Sequence, residues 1–313
     1  MHNIARRLKL FWHSYKPIFD ISSNISDTIL VAGSARSGTT WIGSVCAKML
    51  NARPIFEPFI LDKEKKFFLL FNRVWNGTNK DQLLMNYCLY ISPKMDVDVY
   101  LLYQIESILK GKIRSFWTDK ETSIKIYSKR VIKEIRANLL LNFLAHRWPK
   151  MKIIWIIRNP LEVIKSQLYL SLKYGWKFDF DEKILEQKQL VKEWLLPFIK
   201  EIKKAKTLPE RLMHRWCIEN FVPFNQKVYS LSNVLLVTYN KLVSSKDEWK
   251  KINFFLNKHK WNDDLLDKYL AKPSRTYIKR SDKDMNFILK HTSFCEKKLM
   301  NIAKTYGLEK FLI

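Results

Sequence analysis

Apolar residues along this chain fall into two kinds of run. Short continuous ones, of which Ile153-Ile154-Trp155-Ile156-Ile157 is the clearest, read as strands buried on both faces, since a strand with one wet face alternates. Runs of this kind predict strands at Thr28–Ala32, Pro54–Phe56, Ser123–Ile126, Lys152–Ile157 and Val234–Thr238. Between them apolar positions recur at helical spacing, predicting helices near 39–50, 62–75, 81–91, 97–110, 129–147, 160–173, 181–205, 210–231, 246–257 and 284–306. Strands alternating with helices imply right-handed crossovers and an α/β fold, a mostly parallel central sheet flanked by helices. No repeat or low-complexity linker divides the chain and glycines number only seven. Residues 1–313 therefore read as a single domain, with the helical stretch 60–120 as an insertion that builds a substrate wall. A parallel sheet presents all its strand carboxyl ends on one edge, where ligands bind. That edge is predicted to gather Gly33, Glu57, Arg158 and Tyr239.

The candidate chemistry begins at the end of the first strand. Gly33-Ser34-Ala35-Arg36-Ser37-Gly38-Thr39-Thr40-Trp41 joins strand to helix with the Gly-x4-Gly spacing of a phosphate-cradling P-loop, whose N–H groups and helix N-terminus take phosphate oxygens. A P-loop NTPase-like three-layer architecture is expected to go with it. Thr39 stands where a triphosphatase carries lysine, so a β,γ-phosphate pair is poorly provided for, while Arg36 supplies a cation inside the loop. Such a loop suits a nucleotide with phosphate-like groups other than a conventional triphosphate.

Two further segments lie at predicted strand ends. Glu57, in Phe56-Glu57-Pro58, is either a surface turn residue or a carboxylate able to take a proton from an acceptor hydroxyl. Arg158-Asn159-Pro160 follows the strongest strand, with Pro160 suited to the first turn of a helix and Ser166 eight residues beyond the arginine. An arginine at a strand tip and a helical hydroxyl can together bind a second phosphate.

Composition bounds the partners. The net charge of +26 admits two readings: an electropositive protein that attracts a nucleotide, a nucleic acid, an acidic glycan or a membrane surface, or lysines spread over every surface whatever the partner. Arg6-Arg7-Leu8-Lys9-Leu10-Phe11-Trp12 likewise reads as an interfacial helix or as one packed on the domain, which leaves peripheral membrane association open. No apolar run is long enough to span a bilayer, and the N-terminus has no signal-peptide pattern. Cys46, Cys88, Cys217 and Cys295 are scattered without a CxxC pair. They fit reduced thiols in a cytoplasmic setting better than a disulfide framework or a zinc site.

Taken together, these segments resemble a known family. Ser34–Trp41 is similar to the 5′-phosphosulfate loop of sulfotransferases that use 3′-phosphoadenosine 5′-phosphosulfate (PAPS). Ile156-Ile157-Arg158-Asn159-Pro160 with Ser166 resembles their 3′-phosphate motif. Leu236-Val237-Thr238-Tyr239-Asn240-Lys241-Leu242 is similar to their strand-Tyr-Glu-Asp-Leu segment, with Asn240-Lys241 replacing the acidic pair. The resemblance implies that Arg36, Ser37, Gly38, Thr39 and Thr40, with Trp41 beside them, hold the 5′-phosphosulfate, and that Arg158 and Ser166 hold the 3′-phosphate. A donor of this kind needs two anion sites and no γ-phosphate site, which accounts for the missing lysine. Arginine at the position of Arg36 is familiar in the carbohydrate, tyrosylprotein and bacterial branches, where an acidic residue after the loop or a Glu-Pro pair recurs; Glu57 matches that position.

The implied reaction is in-line sulfuryl transfer without a metal. Glu57 accepts the hydroxyl proton, Arg36 and the loop N–H groups stabilise charge on the leaving oxygen, and Thr39 and Thr40 add hydroxyl donors. Lys125 and Arg130 either add positive charge near the sulfuryl group or are solvated basic residues. The Arg36–Glu57 arrangement leans toward a carbohydrate acceptor, a glycan, polysaccharide or glycolipid hydroxyl, and no specific nucleic acid is expected. Trp41, Trp75 and Trp117 either wall a sugar site or belong to the core. Two other classes stand beside this one: a P-loop nucleotide kinase with a degenerate loop, and a non-enzymatic basic protein binding anions or RNA.

Overall fold

The computed structural model describes residues 18–59, 89–93, 96–115, 117–123, 125–176, 178–180, 182–257, 263–271 and 281–312. Its centre is a sheet of five strands in the order β3-β5-β2-β6-β7, with every neighbouring pair parallel. These are β2 (Thr28–Ala32), β3 (Arg53–Phe56), β5 (Arg130–Glu134), β6 (Lys152–Ile157) and β7 (Val234–Thr238); β1 (Phe19–Asp20) and β4 (Ile126–Tyr127) form a separate two-stranded parallel ribbon. Alternate residues of the central strands enter two cores. Leu30, Ala32, Ile132, Ile153, Trp155 and Ile157 face one, and Ile29, Val31, Val131, Ile154, Ile156 and Val237 the other. Both faces are covered, which is why the strands read as unbroken apolar runs.

Helices α1 (Thr39–Met49), α2 (Lys246–Asn257) and α3 (Asp263–Leu270) bury Ile42, Trp249 and Leu266 in the second core. On the opposite face lie the helices Val99–Leu109, Leu141–Arg147, Pro160–Tyr174, Leu208–Asn225 and Glu296–Thr305. The result is three layers, helix on sheet on helix, as expected.

Several expected elements take a different form. The strand expected at Ser123–Ile126 is confined to β4, outside the main sheet. The missing central strand is β5, inside a stretch whose spacing predicts one helix over 129–147. Its sequence, Arg-Val-Ile-Lys-Glu, has only two apolar residues, yet all five are buried. Helix resumes with a 3₁₀ turn at Asn138–Leu140 leading into Leu141–Arg147. The helix expected over 181–205 is broken into short pieces, among them a π turn at Val191–Leu195 and a 3₁₀ turn at Leu196–Phe198 that contains Pro197; proline withholds the N–H that a continuous ladder needs. The helix expected over 284–306 is two, Asp282–His291 and Glu296–Thr305, parted where Ser293 takes a φ of 54°. α3 was not among the expected helices. The expected helices 62–75 and 81–91, Trp75, Cys88 and the segment Arg6–Trp12 lie outside the described residues.

The structure separates the two uncertain cations. Lys125 is exposed and bonds Asn51. Arg130 is fully buried at the amino end of β5, donating to Asp20 Oδ1 (2.9 Å), the Ser22 carbonyl (2.7 Å) and Thr28 Oγ1 (3.1 Å). It is neither solvated nor near the ligand edge. Arg53, the first residue of β3, completes this lower network through Asp20 (3.3 Å) and Asp119 (2.8 Å). Arg130→Ala removes the donor from these buried acceptors and is expected to cost about 3–5 kcal/mol in urea unfolding, whereas Lys250→Ala on the exposed face of α2 leaves the midpoint unchanged.

Candidate active site

Five chain crossings from the carboxyl ends of the strands build the candidate site. Gly33 leaves β2 so close to β6 that a Cβ there would meet the Ile156 carbonyl oxygen at 2.6 Å. Gly38, at φ 98°, ends the loop and caps α1; a Cβ there would meet the Tyr239 ring at 2.5 Å. Only glycine fits a position that is both left-handed and this tight. Between them Arg36 also adopts a left-handed φ of 76°, a conformation that persists only when its surroundings hold it.

Those surroundings are specific. The Arg36 carbonyl accepts from Arg158 Nη1 at 3.1 Å and the Ala35 carbonyl from Gln167 Nε2 at 2.9 Å. Ser34 Oγ accepts from Asn220 Nδ2 at 3.0 Å. Arg36 Nε in turn donates to Ser166 Oγ at 3.1 Å. The loop is thus bolted to the helices Pro160–Tyr174 and Leu208–Asn225. The expected second anion site, Arg158 with Ser166, is contiguous with the first, because both residues touch Arg36.

Inside this frame Ser37 is fully buried, and among the described residues its Oγ has no hydrogen-bond partner. Thr39 and Thr40 are buried at the first turn of α1, where backbone N–H groups have no intrahelical acceptor. An unsatisfied buried hydroxyl, orphan N–H groups and Arg36 together fit phosphate or sulfate oxygens. The Arg158 guanidinium lies 4.3 Å from the centre of the Tyr239 ring and 3.8 Å from Glu162. Trp41 meets Tyr239 and Trp249 edge-on at 5.9 and 5.2 Å, giving a wall of rings beside the loop.

Glu57 stands just past β3, buried, with a φ of 42°. Its N–H donates to the Lys133 carbonyl at 2.8 Å. Its Oε1 pairs with Lys133 Nζ and its Oε2 with Arg136 Nη1 at 3.2 Å. Burial works to raise the Glu57 pKa, but the two cations and their hydrogen bonds prevail and hold the carboxyl below the usual range. Thr40, Gly43, Phe56 and Lys133 line one small gap of about 10 Å³ between α1 and the strand ends, so Lys133, the partner of Glu57, reaches the first turns of α1 there. Phe56 packs edge-on against Trp117 at 5.1 Å.

Lys133 and Arg136 were not among the residues singled out from the sequence. They belong to the site because β5 pairs in register with β3, Phe56 opposite Lys133. The charged doublet Lys133-Glu134 at the end of a strand was the available hint, hidden while the stretch read as helix.

A sequence model of the sulfotransferase family matches residues 28–249. Among curated proteins none matches the sequence significantly. Similar solved structures include mouse sulfotransferase SULT7A1 complexed with PAP (13% identity, 97% of this chain and 91% of that one, TM-score 0.44). Another is sulfotransferase STF9 from Mycobacterium avium (11%, 90% and 76%, TM-score 0.45), and a third is the sulfotransferase domain of the curacin biosynthetic pathway (16%, 85% and 97%, TM-score 0.36). Likenesses this distant say nothing about ligand or acceptor. The family match covers the phosphate-type loop, Glu57, β5, Arg158 and Tyr239 in one continuous span, and the chain belongs to the sulfotransferase family.

Proposed function

We propose that the protein transfers a sulfuryl group from PAPS to a hydroxyl of a carbohydrate acceptor, with Glu57 as the base. The observation that carries this reading is the clamped loop. It offers a buried, unsatisfied Ser37 hydroxyl and an arginine, and its helix begins on threonines where a triphosphatase has lysine. Arg36, Ser37, Gly38, Thr39 and Thr40 would hold the 5′-phosphosulfate, with Arg158 and Ser166 on the 3′-phosphate. The acceptor oxygen attacks sulfur in line with the bridging oxygen. Its proton passes to Glu57, and Arg36, Lys133 and the α1 N-terminus stabilise charge on the departing phosphate.

The carbohydrate reading draws support from a cleft of about 500 Å³ along α1 that adjoins the Lys133 gap and shares Ser44, Pro54 and Glu121 with it. Its walls include Trp41, Tyr127 and Tyr269, rings suited to sugar faces, and Lys48, Lys125 and Asn51, suited to acidic and hydroxyl groups. We assign the enzyme to a reducing, cytoplasmic setting, in keeping with the free thiols of Cys46, Cys217 and Cys295.

Three measurements test these roles. Glu57→Gln should keep the affinity for 3′,5′-adenosine bisphosphate while turnover of labelled PAPS with a panel of acceptors falls by about 10²–10⁴-fold; undiminished turnover removes Glu57 as base. In calorimetric titrations Arg158→Ala should weaken the bisphosphate by about 10–100-fold and 5′-AMP far less, as loss of a charge-assisted contact predicts. Equal losses would instead assign Arg158 to holding the Arg36 carbonyl alone. Lys48→Glu combined with Lys125→Glu should weaken an acidic oligosaccharide by at least about tenfold through like-charge repulsion and leave a neutral one unaffected, as read by saturation-transfer NMR.

A further inference from the structure

The two oxygens of Glu57 have unequal surroundings. Oε1 meets Lys133 Nζ, a buried ammonium near the end of β5 that also lies over the Phe56 ring at 4.3 Å. Oε2 meets Arg136 Nη1 at 3.2 Å, and the same nitrogen stands 3.6 Å from Glu134 Oε1. Glu134 is fully buried and fixed from three sides, accepting from the N–H groups of Phe59 (2.9 Å), Ile135 (2.8 Å) and Arg136 (3.1 Å). It therefore sews the turn after β3 to the turn after β5; burial pushes its pKa up against the opposing pull of Arg136, and its Oε1 stands beside the Arg136 nitrogen that meets Glu57. One nitrogen of a rigid, planar guanidinium thus faces both carboxylates, and its fixed geometry orients that contact more closely than the flexible stem of a lysine would. The remaining cation nearby, Lys120, stands over the Phe56 ring at 3.1 Å. Lys133, Glu134 and Arg136 from β5 and its turn, with Lys120 and Glu121 from the 117–121 segment, are the charged groups brought toward the Glu57 region, Glu121 lining the same gap as Lys133.

We propose that Arg136 is a positioning residue that divides the work of Glu57: it holds Oε2, so that the acceptor proton is taken on Oε1, the oxygen shared with Lys133. The proposal rests on Glu57 being the base. As the acceptor O–H bond breaks, its oxygen bonds to sulfur and its proton goes to Oε1. The bond from sulfur to the bridging oxygen breaks, with the electron pair going to the 5′-phosphate. Glu57 is then neutral, Lys133 has lost its anionic partner, and its ammonium is available to the negative charge that has moved to the phosphate. Proton uptake and leaving-group stabilisation are thereby coupled through one lysine, while Arg136 and Glu134 keep the carboxyl from rotating. The depressed Glu57 pKa agrees with two cations acting on one carboxylate.

The test is a pH titration of the Glu57 side-chain carbon in the full chain labelled with ¹³C-glutamate, the resonance being identified by its loss in Glu57→Gln. In Arg136→Gln the proton affinity of Glu57 should rise roughly tenfold or more, as removal of a neighbouring cation requires. Arg136→Lys should show a smaller rise, and the acid limb of kcat/KM for PAPS should move up in step. An unmoved midpoint in Arg136→Gln overturns the proposal, as does one in Arg136→Lys should the glutamine variant fail to fold. A wild-type protein that does not bind 3′,5′-adenosine bisphosphate would defeat the sulfotransfer reading instead, whatever the titration gives.

Discussion

Parallel pairing of β5 between β2 and β3 is the constraint on which the site depends. Register sets Ala32 opposite Glu134 and Phe56 opposite Lys133. The residues that follow each strand then arrive at one edge together. Charge at both ends of β5 is the condition for this placement. Below, Arg130 satisfies buried carbonyls and Asp20; above, Lys133 meets Glu57, and Glu134 takes three backbone N–H groups. Buried charges are costly unless paired and hydrogen-bonded, so a strand of this composition fits only where such partners converge at both ends.

The loop after β2 follows a related logic. A left-handed Arg36 costs of order 1–3 kcal/mol, and hydrogen bonds to the loop from Arg158, Gln167 and Asn220, at roughly 0.5–1.5 kcal/mol each, offset it. What is gained is orientation: the arginine side chain and the first turn of α1 are fixed before any ligand arrives. Preorganised donors of this kind stabilise developing charge without reorganising at the moment of reaction. The aromatic contacts of Trp41 with Tyr239 and Trp249 then tie the same helix start to the residue that follows β7 and to α2.

Legibility in the sequence followed chemistry that is local. Four of the five central strands and the helix α1 could be read because an apolar run, a glycine at a tight approach or a proline at a helix start acts within a few residues. Gly33, Arg36 and Gly38 could be selected on loop spacing, Arg158 and Ser166 only in combination with that loop and through the family resemblance, and the fold brings them together. β5 could not be read, because Arg130, Lys133 and Glu134 look polar until their partners at Asp20, Glu57 and Phe59 are known. For the same reason Lys125 and Arg130 stood as candidates where Lys133 and Arg136 now stand.

By itself the sequence determined the α/β class, the phosphate-type loop and the strand ends that face a ligand, because backbone conformation and periodic burial are dictated by neighbours in the chain. Tertiary structure alone decided which charges face one another. Glu57, Lys133 and Arg136 lie 76 and 79 residues apart in the chain. Only the parallel register of β3 and β5, with Glu134 joining the two turns, turns that separation into one ionic cluster and holds the carboxyl as an anion against the cost of its burial.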